Sequence, residues 1–341
     1  MNDDFFLLLT ALAIAAGAVS FFVAKIVGHY ALKMGIYTLT DGSKIAMWGG
    51  IAFVAPMLII APLVMGADTG QSIIILLAIL SLALFGLLDD IVGFSPFPQL
   101  AMQIFVAASI ALSFVQLRHD TISFLSIGGM AIIAIAMINS MNAFNWVDGV
   151  DGLAASVGIT GLLILGLFFW LAGNGLYALY SFVFASSLAG FLFLNYSPAR
   201  LYMGTAGSMG MGLLIALAPA IRWELTPLFL CAFALPLGDW FSVIAQRILA
   251  ARLPWQGGDR RHLHYRLVDM GWGAKKIVLL YVGGTAVFAL LGIISSLYGL
   301  GFVSAGAVLV TVCIMPILLN FTHSEIKNSI QNTEYTVQDA E

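Results

Sequence analysis

Residues 73–90 read Ile73-Ile74-Ile75-Leu76-Leu77-Ala78-Ile79-Leu80-Ser81-Leu82-Ala83-Leu84-Phe85-Gly86-Leu87-Leu88-Asp89-Asp90. From Ile73 to Leu88 the run carries no charge, and then two carboxylates follow at once. Extended back to Gln71, it approaches the ~20 residues a helix needs to cross ~30 Å of hydrocarbon, where every backbone amide must be bonded within its own segment. Similar runs recur along the chain. Of its 341 residues, 61% are hydrophobic and 9% charged, which is too apolar for a soluble domain with a water-facing surface. Cutting at charges and turn formers leaves about eleven apolar stretches. They cover 5–27, 46–66, 71–88, 99–116, 128–145, 152–172, 176–194, 206–221, 225–247, 277–297 and 301–321. The expected fold class is therefore all-α, a polytopic integral membrane protein with about eleven transmembrane helices. The stretch at 206–221 is short and glycine-rich.

Lys and Arg set the orientation, because they stay on the cytoplasmic side of short loops. With the N-terminus outside, the inner segments collect Lys25, Lys33, Lys44, Arg200, Arg247, Arg252, Arg260, Arg261, Arg266, Lys275, Lys276 and Lys327, and only Arg118 and Arg222 of the 14 basic residues fall outside. The C-terminus is then cytoplasmic. The first span has Asp3 and Asp4 where a signal peptide would be basic, and it runs into Lys25 without a small-residue cleavage site, so it reads as a retained helix. Cys231 and Cys313 lie inside apolar stretches, which leaves no disulfide framework and no CxxC metal site. The net charge of −3 says less than its asymmetry across the bilayer.

One membrane-embedded domain is expected over 1–322, followed by a polar tail over 323–341 that lacks apolar periodicity. The longest outer connection, Leu117 to Ile127, has room for a small strand at Thr121-Ile122-Ser123-Phe124-Leu125. No internal repeat of the kind that marks inverted-topology transporters is visible.

Four polar clusters fall at the ends of spans that the positive charges mark as inner. Asp89-Asp90 can hold a divalent cation or act as a base, or they can simply anchor a helix end in water. In Asn142-Ala143-Phe144-Asn145-Trp146-Val147-Asp148-Gly149-Val150-Asp151-Gly152, the residues Asn145, Asp148 and Asp151 recur every third position. On a helical turn this places three oxygen-bearing side chains along one face. Such ligands suit Mg²⁺ held jointly with substrate phosphates; the alternative is capping by Asn and Asp with glycine turns. Gly204-Thr205-Ala206-Gly207-Ser208 follows Asn195-Tyr196-Ser197-Pro198-Ala199-Arg200-Leu201-Tyr202-Met203. Small residues there expose backbone N–H groups to a phosphate, or else let helices pack closely in lipid.

The fourth cluster is Pro254-Trp255-Gln256-Gly257-Gly258-Asp259-Arg260-Arg261-His262-Leu263-His264-Tyr265-Arg266. Its guanidinium forks match phosphate oxygens, although the same charges could touch anionic headgroups instead. Two histidines at i and i+2 without a third soft ligand make a poor zinc site.

In combination these motifs resemble the polyprenyl-phosphate N-acetylhexosamine-1-phosphate transferases. The resemblance runs from Gly86 to about Gly271 and rests on an Asp-Asp pair, Asn-x-x-Asp-Gly-x-Asp-Gly, Asn-x-x-Pro-Ala ahead of a Met-Gly-x-x-Gly-Ser turn, and Asp-Arg-x-His-x-His. It implies a glycosyltransferase that moves a sugar-1-phosphate from a UDP-amino sugar to a polyprenyl (undecaprenyl) phosphate, releasing UMP for cell-wall or surface-polysaccharide synthesis. The implied cofactor is Mg²⁺ or Mn²⁺, and the implied place is the cell inner (plasma) membrane with the site on its cytoplasmic face. Partners are the two substrates and the bilayer, with no nucleic acid; a homodimer is left open. By the same resemblance, the catalytic residues are Asp89, Asp90 and Asp148. Asn145, Asp151, Asn195, Tyr202, Arg260, His262 and His264 would bind substrate, and the metal would be held by Asn145, Asp148 and Thr205.

The chain departs from that pattern in three places. Thr205 stands where the family carries a metal-ligating aspartate. The segment from Gly35 to Gly50 is shortened, keeping only Lys44 and Gly49-Gly50 of an N-terminal basic motif, and Ser95-Pro96-Phe97-Pro98-Gln99 lacks the basic residue that normally follows the Asp-Asp pair. Two alternatives therefore stand beside the enzyme: a catalytically impaired relative that binds without turnover, and a membrane transporter. A transporter would place its ionisable groups mid-membrane, and of the acids here only Asp239 does so.

Overall fold

The computed structural model describes residues 3–40, 42–65, 69–116, 124–254 and 260–316. Helices dominate: α1 (Asp3–Lys33), α2 (Gly50–Met65), α3 (Thr69–Val92), α4 (Pro96–Gln116), α5 (Phe124–Val147), α6 (Leu153–Leu171), α7 (Gly175–Asn195) and α8 (Gly204–Ile221) precede the short α9 (Thr226–Ala232). After it come α10 (Ala234–Leu249), α11 (Leu263–Asp269), α12 (Ala274–Leu297) and a last helix, α13 (Gly301–Pro316).

Seven of these, α1, α3, α4, α5, α6, α7 and α12, are long and apolar enough to cross a membrane, or eight if the bent pair Gly204–Ala220 and Trp223–Ala232 forms one span. The count expected from sequence was about eleven, and the shortfall has local causes. With 16 residues, α2 rises only about 24 Å, short of the hydrocarbon thickness; the stretch expected at 301–321 is described only as far as Pro316. The stretch expected at 225–247 breaks at Phe233. Pro236 has no N–H to offer the carbonyl of Ala232 and its ring crowds the preceding turn, so the helix must start again.

The apolar faces explain the packing. Leu84, Phe105, Ile132, Leu279 and Leu291 are exposed on the outside of the bundle, which is costly in water and neutral against lipid. At the centre, α8 lies against both α3 and α5. Gly86 of α3 makes the first approach possible, because a Cβ there would sit 2.3 Å from Cα of Ala206. In the second, Ser140 Oγ donates to the Gly212 carbonyl at 2.8 Å. Asn142 Nδ2 donates to Gln103 Oε1 at 2.7 Å and ties α5 to α4.

Sequence reading did not anticipate a hairpin, β1 (Tyr37–Thr40) with β2 (Ser43–Ala46), antiparallel with Tyr37 opposite Ala46. Its far edge is sewn to the segment after α7: Tyr202 N–H donates to the Ala46 carbonyl at 2.8 Å, and Gly49 N–H to the Tyr202 carbonyl at 2.8 Å. Lys44, one remnant of the basic motif, lies over the Tyr37 ring at 4.5 Å. Of the strand expected near residue 121, Thr121 to Ser123 lie outside the described residues, and Phe124 and Leu125 open α5. The tail at 323–341 also lies outside them.

Candidate active site

The end of α3, the end of α5, the start of α8 and the hairpin meet at one end of the bundle. The crossing at Gly86 brings Asp89 and Asp90 against the first turn of α8. Asp89 is buried and fully engaged: Phe94 N–H donates to Oδ1 at 2.9 Å, Gln99 Nε2 to both oxygens at 3.1 Å, and Thr205 Oγ1 to Oδ2 at 2.8 Å. A neutral amide thus faces it in the stretch that lacks a basic residue. Asp90 accepts the Thr205 backbone N–H on Oδ1 at 2.8 Å, while its Oδ2 is buried without a partner. Gly204, at φ +73°, permits this, since a Cβ there would stand 2.3 Å from Asp90 Oδ2.

Two adjoining cavities open beside these groups and share Asn145, Asp148, Gly149 and Tyr265 as lining. The smaller, about 350 Å³, is polar, with Asp90, Asp148, Asp151, Asn195, Tyr202 and Thr205 in its wall. The larger, about 610 Å³, is mainly apolar and runs between α4, α5 and α10 past Phe97, Leu100, Ile138 and Trp240, with Arg247 and His262 in its wall. Asp148 sits at the junction. Burial, and then the nearby Asp90 and Asp151 carboxylates, push its carboxyl well above the ordinary range.

Several other expected site residues shape the walls. Asn195 accepts Gly152 N–H at 3.1 Å and donates to the Leu201 carbonyl at 3.0 Å, and Asp151 Oδ2 accepts Ala199 N–H at 2.9 Å, so both fix the turn before α8. Ser208 Oγ donates to Asn145 Oδ1 at 2.7 Å. For a metal, Asp90, Asp148 and Asn145 offer hard oxygen donors around the smaller cavity, a set that suits Mg²⁺. The hydroxyl proton of Thr205 is committed to Asp89.

The arginine-histidine segment does not act as one surface. Arg260 is exposed and pairs with Asp269 at 2.6 Å. Arg261 Nη1 donates to the Gln246 carbonyl at 3.0 Å, and Arg266 is buried, with Nη2 on Gln246 Oε1 at 2.6 Å and Nη1 on the Pro316 carbonyl. His262 reaches the larger cavity, but His264 reaches neither. Burial, countered by Asp239, lowers the His264 pKa to about 4 and keeps the ring neutral. The guanidinium that does line a cavity is Arg247, on the Trp146 ring at 4.7 Å and donating to the Pro254 carbonyl at 2.6 Å. Trp146, Trp240, Gln99 and Tyr265 are further lining residues that motif reading passed over, although each is within ten positions of a residue it singled out.

Residues 72–222, which hold every element of the smaller cavity's acidic wall, match the sequence model of glycosyl transferase family 4. A decaprenyl-phosphate N-acetylglucosaminephosphotransferase of Mycobacterium leprae (strain TN) is 32% identical over 154 residues, 39% of this chain and 38% of the relative. A probable undecaprenyl-phosphate N-acetylglucosaminyl 1-phosphate transferase of Bacillus subtilis (strain 168) is 26% identical over 206 residues, 57% of each chain. The chain thus spans between about two-fifths and three-fifths of the length of these two relatives. A phospho-N-acetylmuramoyl-pentapeptide-transferase of Shouchella clausii (strain KSM-K16) is 29% identical over 273 residues, 72% of this chain and 81% of the relative. Its Asp-Asp pair, its Asn145–Asp151 run and its 195–208 turn all lie inside the matched region, so over residues 72–222 the chain is similar to glycosyl transferase family 4.

Proposed function

We propose that the protein transfers an N-acetylhexosamine-1-phosphate from a UDP-amino sugar to a polyprenyl phosphate, releasing UMP. The observation that carries this reading is the pair of joined cavities, one apolar and one polar, with Asp148 where they meet. An isoprenoid phosphate has the first character and a nucleotide sugar the second, so the two phosphates would face each other at the junction. An oxygen of the lipid phosphate bonds to the sugar-bearing phosphorus, and the bond from that phosphorus to the bridging oxygen breaks, its electron pair leaving with UMP. Asp90, with an unshared oxygen, is placed to take up or hold the proton of the lipid phosphate. Asp89 positions it by holding Thr205. Arg247 and His262 offer donors from the larger cavity's wall.

Three carboxylates beside a diphosphate repel it unless a cation intervenes. Mg²⁺ or Mn²⁺ on Asp90, Asp148 and Asn145 would neutralise that charge and that of the leaving diphosphate oxygens. The site is read as cytoplasmic in the plasma membrane, with the N-terminus outside, because Lys44, Arg200, Arg247 and Lys275 gather at its end, Lys275 lying over the Tyr196 ring at 5.8 Å. UDP-sugars are cytosolic, which agrees. The 18-residue α8, the shorter α2 and α13, and the α9–α10 pair then complete the eleven crossings.

Thr205 favours a second reading, binding without turnover, since a neutral hydroxyl stands where the family has a metal-ligating carboxylate. One experiment separates the two. Purified protein with Mg²⁺ or Mn²⁺, polyprenyl phosphate and a panel of UDP-N-acetylhexosamines should release UMP. Tight UDP-sugar binding with no UMP from any donor would establish the second reading instead.

A further inference from the structure

The histidine pair acquires a third partner in the fold. Asp239, on α10 just past the break at Phe233, is 1% exposed, and its Oδ1 accepts the Leu263 backbone N–H at 2.8 Å. Its Oδ2 lies 2.9 Å from His262 Nδ1 and 3.9 Å from His264 Nδ1. His262 and His264 are stacked, with ring centroids 5.4 Å apart, and both are buried. One candidate ligand atom from each of the three lies within 4.8 Å of the others, an arrangement found at this place alone among the described residues.

One member of this cluster is unaccounted for. Both ring nitrogens of His264 are buried and without a hydrogen-bond partner, a state that is costly when nothing compensates. Its Nε2 faces Gly149, where a Cβ would come within 2.7 Å, so Nδ1 is the nitrogen left on the Asp239 side. Tetrahedral ligands at 2.0–2.2 Å from a metal stand about 3.4 Å from one another. The two observed separations, 2.9 and 3.9 Å, straddle that value. Shifts of about half an ångström would equalise them around one ion.

We propose that Asp239, His262 and His264 form a binding site for a divalent transition-metal cation of the Zn²⁺ type. Two imidazoles and one carboxylate select such an ion over Mg²⁺, which prefers an all-oxygen shell. The Leu263 N–H on Oδ1 is the outer contact that orients the carboxylate. Metal on Nδ1 of His262 leaves its Nε2 as an N–H donor, and His262 is also part of the larger cavity's wall. The ion would thus add positive charge beside the cavity, on the opposite flank from Thr205. The site does not depend on which group is transferred, and its test contains no substrate.

The full chain, purified in detergent and stripped with a chelator, is incubated with Zn²⁺ in the presence of excess Mg²⁺, desalted, and its zinc measured by mass spectrometry. About one Zn²⁺ per chain is expected for the unaltered protein and for Asp148→Asn, falling at least about fivefold in Asp239→Asn and His264→Gln. As a measurement that needs no variant, Co²⁺ added to the stripped, unaltered protein should give visible d–d absorption that Zn²⁺ abolishes. Zinc retention below about a tenth per chain with no Co²⁺ absorption, or full retention in a folded His264→Gln, would overturn the proposal.

Discussion

At the scale of single residues, Asp89 and Asp90 are adjacent in sequence and differ in what surrounds them. Asp89 accepts hydrogen bonds from Phe94, Gln99 and Thr205, so Asp89→Asn should lower thermal stability and turnover together, by about 1.5–3 kcal/mol in stability. Asp90→Asn should cut UMP release at least about a hundredfold with the melting temperature nearly unchanged; a matched fall in both would make Asp90 structural. Thr205→Asp puts a second carboxylate against Asp89. The metal-free variant should be destabilised by about 1 kcal/mol or more, with stability restored by Mg²⁺. Equal melting temperatures with and without Mg²⁺ would place the metal elsewhere.

His264 gives a pH signature. Its folded pKa of about 4 lies below the ordinary 6.5, so between those values the unfolded chain binds the extra proton and stability falls as pH drops. In chelator-treated protein the loss should approach about 3 kcal/mol by pH 4. His264→Gln should flatten that slope, read from thermal melts across the range. Among these residues the acids were legible in the sequence, since an apolar run ending in Asp89-Asp90 and a three-residue spacing from Asn145 to Asp151 are local patterns. Partners were not. The carbonyls that occupy Arg261 and Arg266, and the carboxylate of Asp239 23 positions before His262, are brought together only by tertiary packing.

At the scale of elements, helices were readable wherever hydropathy ran unbroken, and their bounds were not where proline or length intervened. Pro236 splits one expected span, and α2 stops short of the bilayer thickness. The hairpin carried a local signal as well: Asp41-Gly42 between β-formers is a common turn. Hydropathy windows average it away. The crossing of α3 and α8 depends on Gly86, so Gly86→Val should force the helices apart, costing about 1–3 kcal/mol. Because Asp89 and Thr205 sit just past that contact, UMP release should fall with it. A fully active, equally stable variant would mean that the helices do not meet so closely.

At the scale of the whole molecule, the acids, the hairpin and most of the basic side chains gather at one end, while Arg222 lies over the Tyr177 ring at the other, 5.7 Å from its centroid. Sidedness is testable in a background lacking Cys231 and Cys313. Lys275→Cys should react with an impermeant thiol reagent only from the cytoplasmic side, and Asn174→Cys only from outside. The reverse pattern would invert the orientation proposed above.

The apolar cavity has Phe97 and Leu100 in its wall, 63% and 41% exposed, on the flank of a bundle whose outer surface suits lipid. An acceptor reaching the site sideways, from within the membrane plane, never samples the aqueous volume. Its effective concentration is then a count per lipid or detergent molecule. Diluting the micelles with more detergent at constant total acceptor should slow the reaction in proportion, whereas adding buffer to fixed micelles should leave the rate per enzyme unchanged.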